Sequence, residues 1–160
     1  MSATPVVVTE MKFTPTLREI VNGALMRGRP ILVTYVTLDE KPSVSFRGTV
    51  QAWGEGDLAL WTRTQTTGIA TALAKHPDVA LFYADDIMNP AARAMITFKG
   101  KARVDNSEAA RRTVYENSPE LEQKRDPERK GTAIIITLES VTGMAPGEQY
   151  RMVNAALKRA

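Results

Sequence analysis

Two stretches rich in β-branched residues, Ile31 to Leu38 (ILVTYVTL) and Ser43 to Val50 (SVSFRGTV), are separated only by Asp39-Glu40-Lys41-Pro42. Four turn-forming residues between two strand-like runs predict an antiparallel hairpin. A second short turn, Gly54-Glu55-Gly56-Asp57, leads into Leu58 to Thr62, so the spacing predicts a three-stranded meander. Nothing downstream repeats the βαβ pattern that a doubly wound nucleotide fold needs, and the glycines miss the G-x-G-x-x-G spacing.

Helices fall at defined breaks. Thr14 is placed to cap a helix with Pro15 in its first turn, and Leu17, Ile20, Val21, Ala24 and Leu25 form its apolar face up to a stop at Gly28. A second helix is expected over Thr66 to Lys75, broken by His76-Pro77 and followed by a strand at Val79 to Tyr83. Ala94 to Val104 reads as a long strand with a bend or bulge at Gly100. Asp105 or Asn106 then caps a helix reaching Asn117, and Glu116 to Gly131 reads as an exposed helical turn plus loop. Thr132 to Thr142 (TAIIITLESVT) is a further strand. The tail, residues 143–160, reads as irregular with a short final helix, VNAALKRA. Six mostly antiparallel strands with flanking helices make an α+β or mostly-β barrel, a single domain over residues 1–160 with its core at about 15–142.

Composition removes several chemistries. The chain has no cysteine, which excludes disulfides, iron–sulfur clusters and thiol catalysis and fits a reducing cytoplasm. His76 is the lone histidine, so neither a zinc site nor a histidine-dependent triad is expected. The net charge of +3 comes from 21 basic and 18 acidic residues mixed along the chain, with no block resembling a nucleic-acid arm. The opening MSATPVVVTEMKF lacks a basic leader and a long apolar run, so no signal peptide is expected, and no apolar stretch approaches a membrane span.

The segment Trp61-Thr62-Arg63-Thr64-Gln65-Thr66-Thr67-Gly68 crowds hydroxyls and a glycine where a strand turns into a helix. Two readings stand. In one, helix N–H groups, the Thr66 and Thr67 hydroxyls and the open backbone of Gly68 hold an anion, with Arg47 contributing a guanidinium if the two strands flanking the GEGD turn pair. In the other, Thr66 simply caps the helix and Arg47 faces solvent.

The order helix, hairpin, strand ending in aromatic-Thr, polar turn, helix ending in proline, and strand resembles the FMN-binding split-barrel proteins related to pyridoxamine 5'-phosphate oxidase, over roughly residues 15–142. Phe46-Arg47-Gly48-Thr49-Val50 takes the place of the family's arginine-plus-apolar strand. Trp61-Thr62 stands for its Tyr-Thr pair, and Thr66-Thr67-Gly68 for its Ser-Arg-Lys. The resemblance implies a six-stranded antiparallel split β-barrel with flanking helices, a homodimer, and FMN at the interface as the cofactor of an oxidoreductase. It implies a cofactor site of Arg47, Gly48, Thr49, Val50, Trp61, Thr62, Thr66, Thr67 and Gly68. The chain departs from the family where Thr67 and Gly68 replace the Arg-Lys pair that holds the phosphate. Met95 is the nearest counterpart of a flavin-side glutamine, and the C-terminal Trp and Arg motif is not evident.

A variant of this reading has a deazaflavin coenzyme in place of FMN, its charged tail met by Arg18, Arg27 or Lys75. The competing class is a non-catalytic split barrel, binding flavin or haem or no cofactor. Trp53 and Trp61 suit core or interface filling as well as ring stacking. Tyr83, Asp85 and Asp86 read as a solvated strand end, Lys124 to Lys130 (KRDPERK) as an exposed loop, and His76 as a helix-end cap.

Overall fold

Helix α1 (Pro15–Asn22) begins where its signals place it: the Thr14 hydroxyl accepts the Leu17 amide at 3.1 Å, and Leu17 and Val21 are buried. The helix stops at Gly23, earlier than the expected Gly28. Glycine is a poor helix former, and the Arg27 side chain folds back to donate to the Glu19 and Ile20 carbonyls that the helix leaves free. The computed structural model describes residues 3–157.

The predicted hairpin forms. Strand β2 (Ile31–Val36) pairs antiparallel with β3 (Pro42–Arg47), Ile31 opposite Arg47. The predicted meander does not. Ser43 to Val50 is not one strand: the chain leaves β3 at Gly48 and resumes as β4 (Gln51–Trp53), which pairs with β5 (Asp57–Thr62). Arg47 therefore lies on a strand that does not neighbour β5. The break has a local cause. The Thr49 hydroxyl both accepts from the Trp61 amide and donates to the Trp61 carbonyl, 3.0 Å each, so a side chain occupies the place of a backbone ladder.

The helix expected over Thr66 to Lys75 is a single turn, α2 (Ile69–Ala72), and Thr66 does not cap it. Gly68 holds φ +65°, outside the helical region, and the Thr64 hydroxyl pairs with Thr67 Oγ1 at 3.1 Å, drawing the threonines into their own turn. Strands β6 (Asp78–Asp85) and β7 (Ala94–Asp105) follow, β6 between β2 and β7. The bulge expected at Gly100 is there: the β7 register shifts between Lys99 and Gly100, where a Cβ would collide with the Thr137 carbonyl. Helix α3 (Glu108–Asn117) is capped by Ser107, not by Asp105 or Asn106. Asp105 instead accepts the Ser107 amide at 3.0 Å. A one-turn helix, α4 (Glu120–Gln123), precedes strand β8 (Thr132–Ala145).

The tail is not irregular. Strand β8 continues to Ala145, and β9 (Glu148–Val153) pairs with it antiparallel while β1 (Val6–Val8) adds to β9 in parallel. Tyr150 and Met152 of β9 are buried while Gln149 and Arg151 face outward, the period of a strand. The final helix does not extend back to Val153, which is strand; residues 154–157 form turns, and the remainder of VNAALKRA, residues 158–160, lies outside the described residues.

The described residues thus hold nine strands where six were expected, in the order β1-β9-β8-β7-β6-β2-β3 with β5 joining β8 from the side. The architecture is a mostly antiparallel split β-barrel with flanking helices. Strand β8 changes partner along its length, β5 beside its first half and β9 beside its second. Alternation on β5 sends Leu58 and Leu60 into the barrel core and Ala59 and Trp61 to the opposite face. There Ala110, Val114 and Tyr115 of α3 cover them in a second, smaller core, with Trp61 and Tyr115 edge-to-face at 5.2 Å.

Candidate functional site

Arg47 ends β3 opposite Ile31, so its side chain leaves on the barrel side of the sheet. Because β3 is an edge strand, the guanidinium is half-buried and not sealed in. Its Nε donates to Ser45 Oγ at 3.1 Å. Burial lowers its pKa from the ordinary arginine value, the Tyr35 phenol opposes this, and the charge of Arg63 adds to it.

A cleft of about 250 Å³ opens beside it, which Arg63 and Arg125 also line. Gly48 and Thr49 line it from the chain leaving β3, and the edge of Trp61 forms a wall. Glu122 of α4 is the cleft's carboxylate; it reaches Arg125 at 3.2 Å and lies against Gly48, where a Cβ would stand 3.1 Å from it. Among the described residues neither Arg47 nor Arg63 has an acidic partner within 4.0 Å.

Four of the expected site residues line this cleft, and the others do not. Arg47, Gly48, Thr49 and Trp61 share it. Val50 turns its side chain into the core, and the Thr62 hydroxyl donates weakly to the Thr64 carbonyl at 3.5 Å. Trp61 is only 5% exposed, and its indole N–H donates to Asp126 at 2.9 Å. Thr66, Thr67 and Gly68 form an exposed turn, and the Gln65 amide before them donates to the Lys130 and Gly131 carbonyls at 2.9 and 3.1 Å. Gly68 faces Tyr35, whose hydroxyl would be 3.7 Å from a Cβ there.

Arg63, Glu122 and Arg125 were not singled out in the sequence. Arg63 directly follows the Trp61-Thr62 pair, and that adjacency is the signal for it. Arg125 stands in the KRDPERK run, whose alternating charges suggest solvent. That loop is not wholly exposed: Asp126 is buried and accepts from the Lys130 and Gly131 amides at 2.9 Å each as well as from Trp61.

The three cations considered for a charged tail are engaged elsewhere. Arg18 donates to the Gly54 carbonyl at 2.7 Å, Arg27 closes α1 and bonds the Tyr83 hydroxyl at 3.2 Å, and Lys75 pairs with Glu40 at 3.5 Å. Asp85 pairs with Arg29 at 2.9 Å, so the strand end is not a free acidic cluster. Among the described residues no group of three or more His, Cys, Asp or Glu is placed to hold a metal, and no helix is long and apolar enough to cross a membrane, a statement about helices alone.

On the outer face of the sheet, register places Phe46, Leu32 and Phe82 side by side, and Ala84, Met95 and Met144 in the neighbouring row. Phe46 is 67% exposed and borders both the basic cleft and an apolar hollow of about 560 Å³ beneath Pro30 and Phe82.

A scan against protein-family models finds no match, and a search of curated proteins finds none. Solved structures do match over most of the chain. HupZ of Group A Streptococcus superposes with a TM-score of 0.63 at 14% identity, covering 86% of this chain and 98% of that one. A candidate pyridoxamine 5'-phosphate oxidase of Lactobacillus delbrueckii superposes at 0.57 with 18% identity, covering 84% and 96%. An FMN-binding protein of Syntrophomonas wolfei superposes at 0.59 with 7% identity, covering 80% and 83%. At these identities the likeness is one of fold, and it is the fold of split-barrel proteins of the pyridoxamine 5'-phosphate oxidase type.

Proposed function

We propose that a chain with this fold binds FMN as a homodimer and uses it to oxidise or reduce a small molecule. The observation that carries the reading is Arg47: a half-buried guanidinium with no acidic partner among the described residues, at the mouth of a cleft bordered by an apolar hollow. A phosphate at one end and a flat apolar ring at the other suit that pairing of surfaces.

When bound, FMN supplies the hydride and electron chemistry. The chain's own part is to bind and orient. Arg47 donates to the phosphate, the Thr66 and Thr67 hydroxyls and the open backbone at Gly68 border it, and the backbone from Gly48 to Val50 lines the ring. Trp61 and Thr62 hold the wall and not the ligand's polar groups, since the indole N–H is already given to Asp126. The outer apolar face around Phe46, Leu32, Phe82 and Met95 is the surface on which a second copy closes the site. No side chain is assigned to proton transfer.

A non-catalytic barrel, cofactor-free or binding haem, is the second reading. It is favoured by Thr67 and Gly68 standing where the resemblance calls for two cations, and by the Glu122 carboxylate lying in the cleft. A deazaflavin coenzyme draws no support from Arg18, Arg27 or Lys75. An absorption spectrum of the purified protein and a titration with FMN separate these. Flavin bands, with FMN released by heat and identified by its mass, support the first reading. A protein that takes up neither FMN nor a deazaflavin at micromolar concentration, either colourless or with haem bands, supports the second.

A further inference from the structure

The charges in the cleft do not balance. Arg47, Arg63 and Arg125 bring three positive charges and Glu122 one negative, which leaves two. Two of the three guanidiniums lack an acidic partner among the described residues, and Arg47 feels the repulsion of Arg63. Holding like charges together beside a partly buried strand end is unfavourable unless an anion joins them. A phosphate monoester carries about −1.5 to −2 at neutral pH, the deficit that the cleft presents.

Position makes the same point. Arg63 follows the end of β5 and Arg125 stands in the loop after α4, so with Arg47 on β3 three arginines from separate parts of the chain line one cleft. Glu122 is packed on Gly48, a residue whose missing side chain leaves room for a carboxylate against the backbone. A carboxylate is thus already accommodated there, and it offsets one of the three arginine charges.

We infer that Arg47, Arg63 and Arg125 form the binding site for a phosphate monoester, and that Glu122 is an internal counter-ion whose hold on Arg125 the ligand's phosphate competes with. The site adds Arg63 and Arg125 to Arg47 and so supplies the cations that Thr67 and Gly68 do not. The inference deepens the flavin reading and rests on it for the ring that carries the phosphate, but not for the phosphate itself.

Calorimetric titration of the full chain with FMN, riboflavin and phenyl phosphate tests this. Arg63→Ala and Arg125→Ala are expected to weaken FMN and phenyl phosphate about tenfold or more and leave riboflavin unchanged. Glu122→Gln is expected to tighten FMN severalfold, a gain that loss of folding cannot produce. If phenyl phosphate binds with these dependences and FMN does not bind at all, the anion site stands and the flavin reading falls. If FMN binds equally well to the wild type and both arginine variants, or no more tightly than riboflavin, the site is overturned and the flavin reading stands. If the wild type binds neither phosphate, both fall.

Discussion

One hydroxyl joins Thr49 to Trp61 twice: Thr49 Oγ1 accepts from the Trp61 amide and donates to the Trp61 carbonyl, at 3.0 Å each, with both residues buried. The chain leaving β3 is thereby fixed to β5 although the two strands do not pair. Thr49→Val keeps the shape and removes both bonds. Leaving the Trp61 groups unpaired costs about 1–3 kcal/mol, to be read as a lower denaturant midpoint with an unchanged m-value. An unaltered midpoint would mean that water replaces the hydroxyl.

Arg47 has little to do for the fold, since its one described hydrogen bond goes to Ser45 two residues away. Arg47→Ala is expected to raise the Kd for FMN about tenfold or more while lowering stability by less than about 1 kcal/mol. Unfolding of the variant, with unchanged affinity in its folded fraction, would make Arg47 structural.

Phe46 is exposed on an edge strand, so a charge there costs the monomer little. Phe46→Asp is expected to shift the sedimentation of the protein from dimer to monomer and to weaken FMN with it. A sedimentation coefficient identical to that of the wild type would place the subunit contact elsewhere.

Asp126 is buried; burial raises its pKa, but the Gly131 and Lys130 amides and the Trp61 indole outweigh that and hold it below the usual carboxylate range. A depressed folded pKa means the unfolded chain binds the proton first. The contribution to stability is therefore complete above the unfolded carboxylate value of about 4 and is lost as the pH falls below it. Asp126→Asn is expected to cost about 1–3 kcal/mol at neutral pH and to flatten the acid limb of the stability curve. Melting temperatures of both proteins between pH 2 and 7, chosen as a range of about five units around that value, check it; parallel curves would remove Asp126 from the acid response.

Tyr150 donates to Glu148 Oε2 at 2.6 Å, and Thr14 donates to the same oxygen at 2.7 Å. Burial, with the Glu148 hydrogen bond and charge, pushes the phenol pKa up. The folded protein thus keeps a proton that the unfolded chain releases near pH ~10, so this stability is present below that pH and is lost as the pH rises above it. Tyr150→Phe is expected to cost about 0.5–1.5 kcal/mol at neutral pH and to lessen the alkaline loss. An alkaline limb as steep as the wild type's would assign that loss to other groups.

Local signals were legible and distant ones were not. The Thr14 cap, the β2–β3 hairpin and the Gly100 bulge each follow from a few adjacent residues, and each formed. Strand β9 was hidden because Glu148-Gln149-Tyr150-Arg151-Met152 carries two large apolar residues among polar ones, and only its partner β8 makes that alternation a strand. Helix α2 was overextended because Thr66 and Thr67 resemble caps while Gly68 bends the chain away. The same limit divided the site. Arg47 and its neighbours stood out by their order along the chain, whereas the approach of Arg63 and Arg125 depends on packing between segments about sixty residues apart, which no local pattern encodes.

The bond between Thr14 and Glu148 spans 134 positions, and among the described residues β1 pairs only with β9. Helix α1 is a local element, yet the carboxylate that the hydroxyl of its cap reaches lies far along the chain. A chain shortened before Glu148 would keep the Phe13 amide on the Glu55 carbonyl and Arg18 on the Gly54 carbonyl, and lose the bond from the Thr14 hydroxyl. Joining the two ends of this span is thus a long-range step, slow to close compared with the local turns and hairpins.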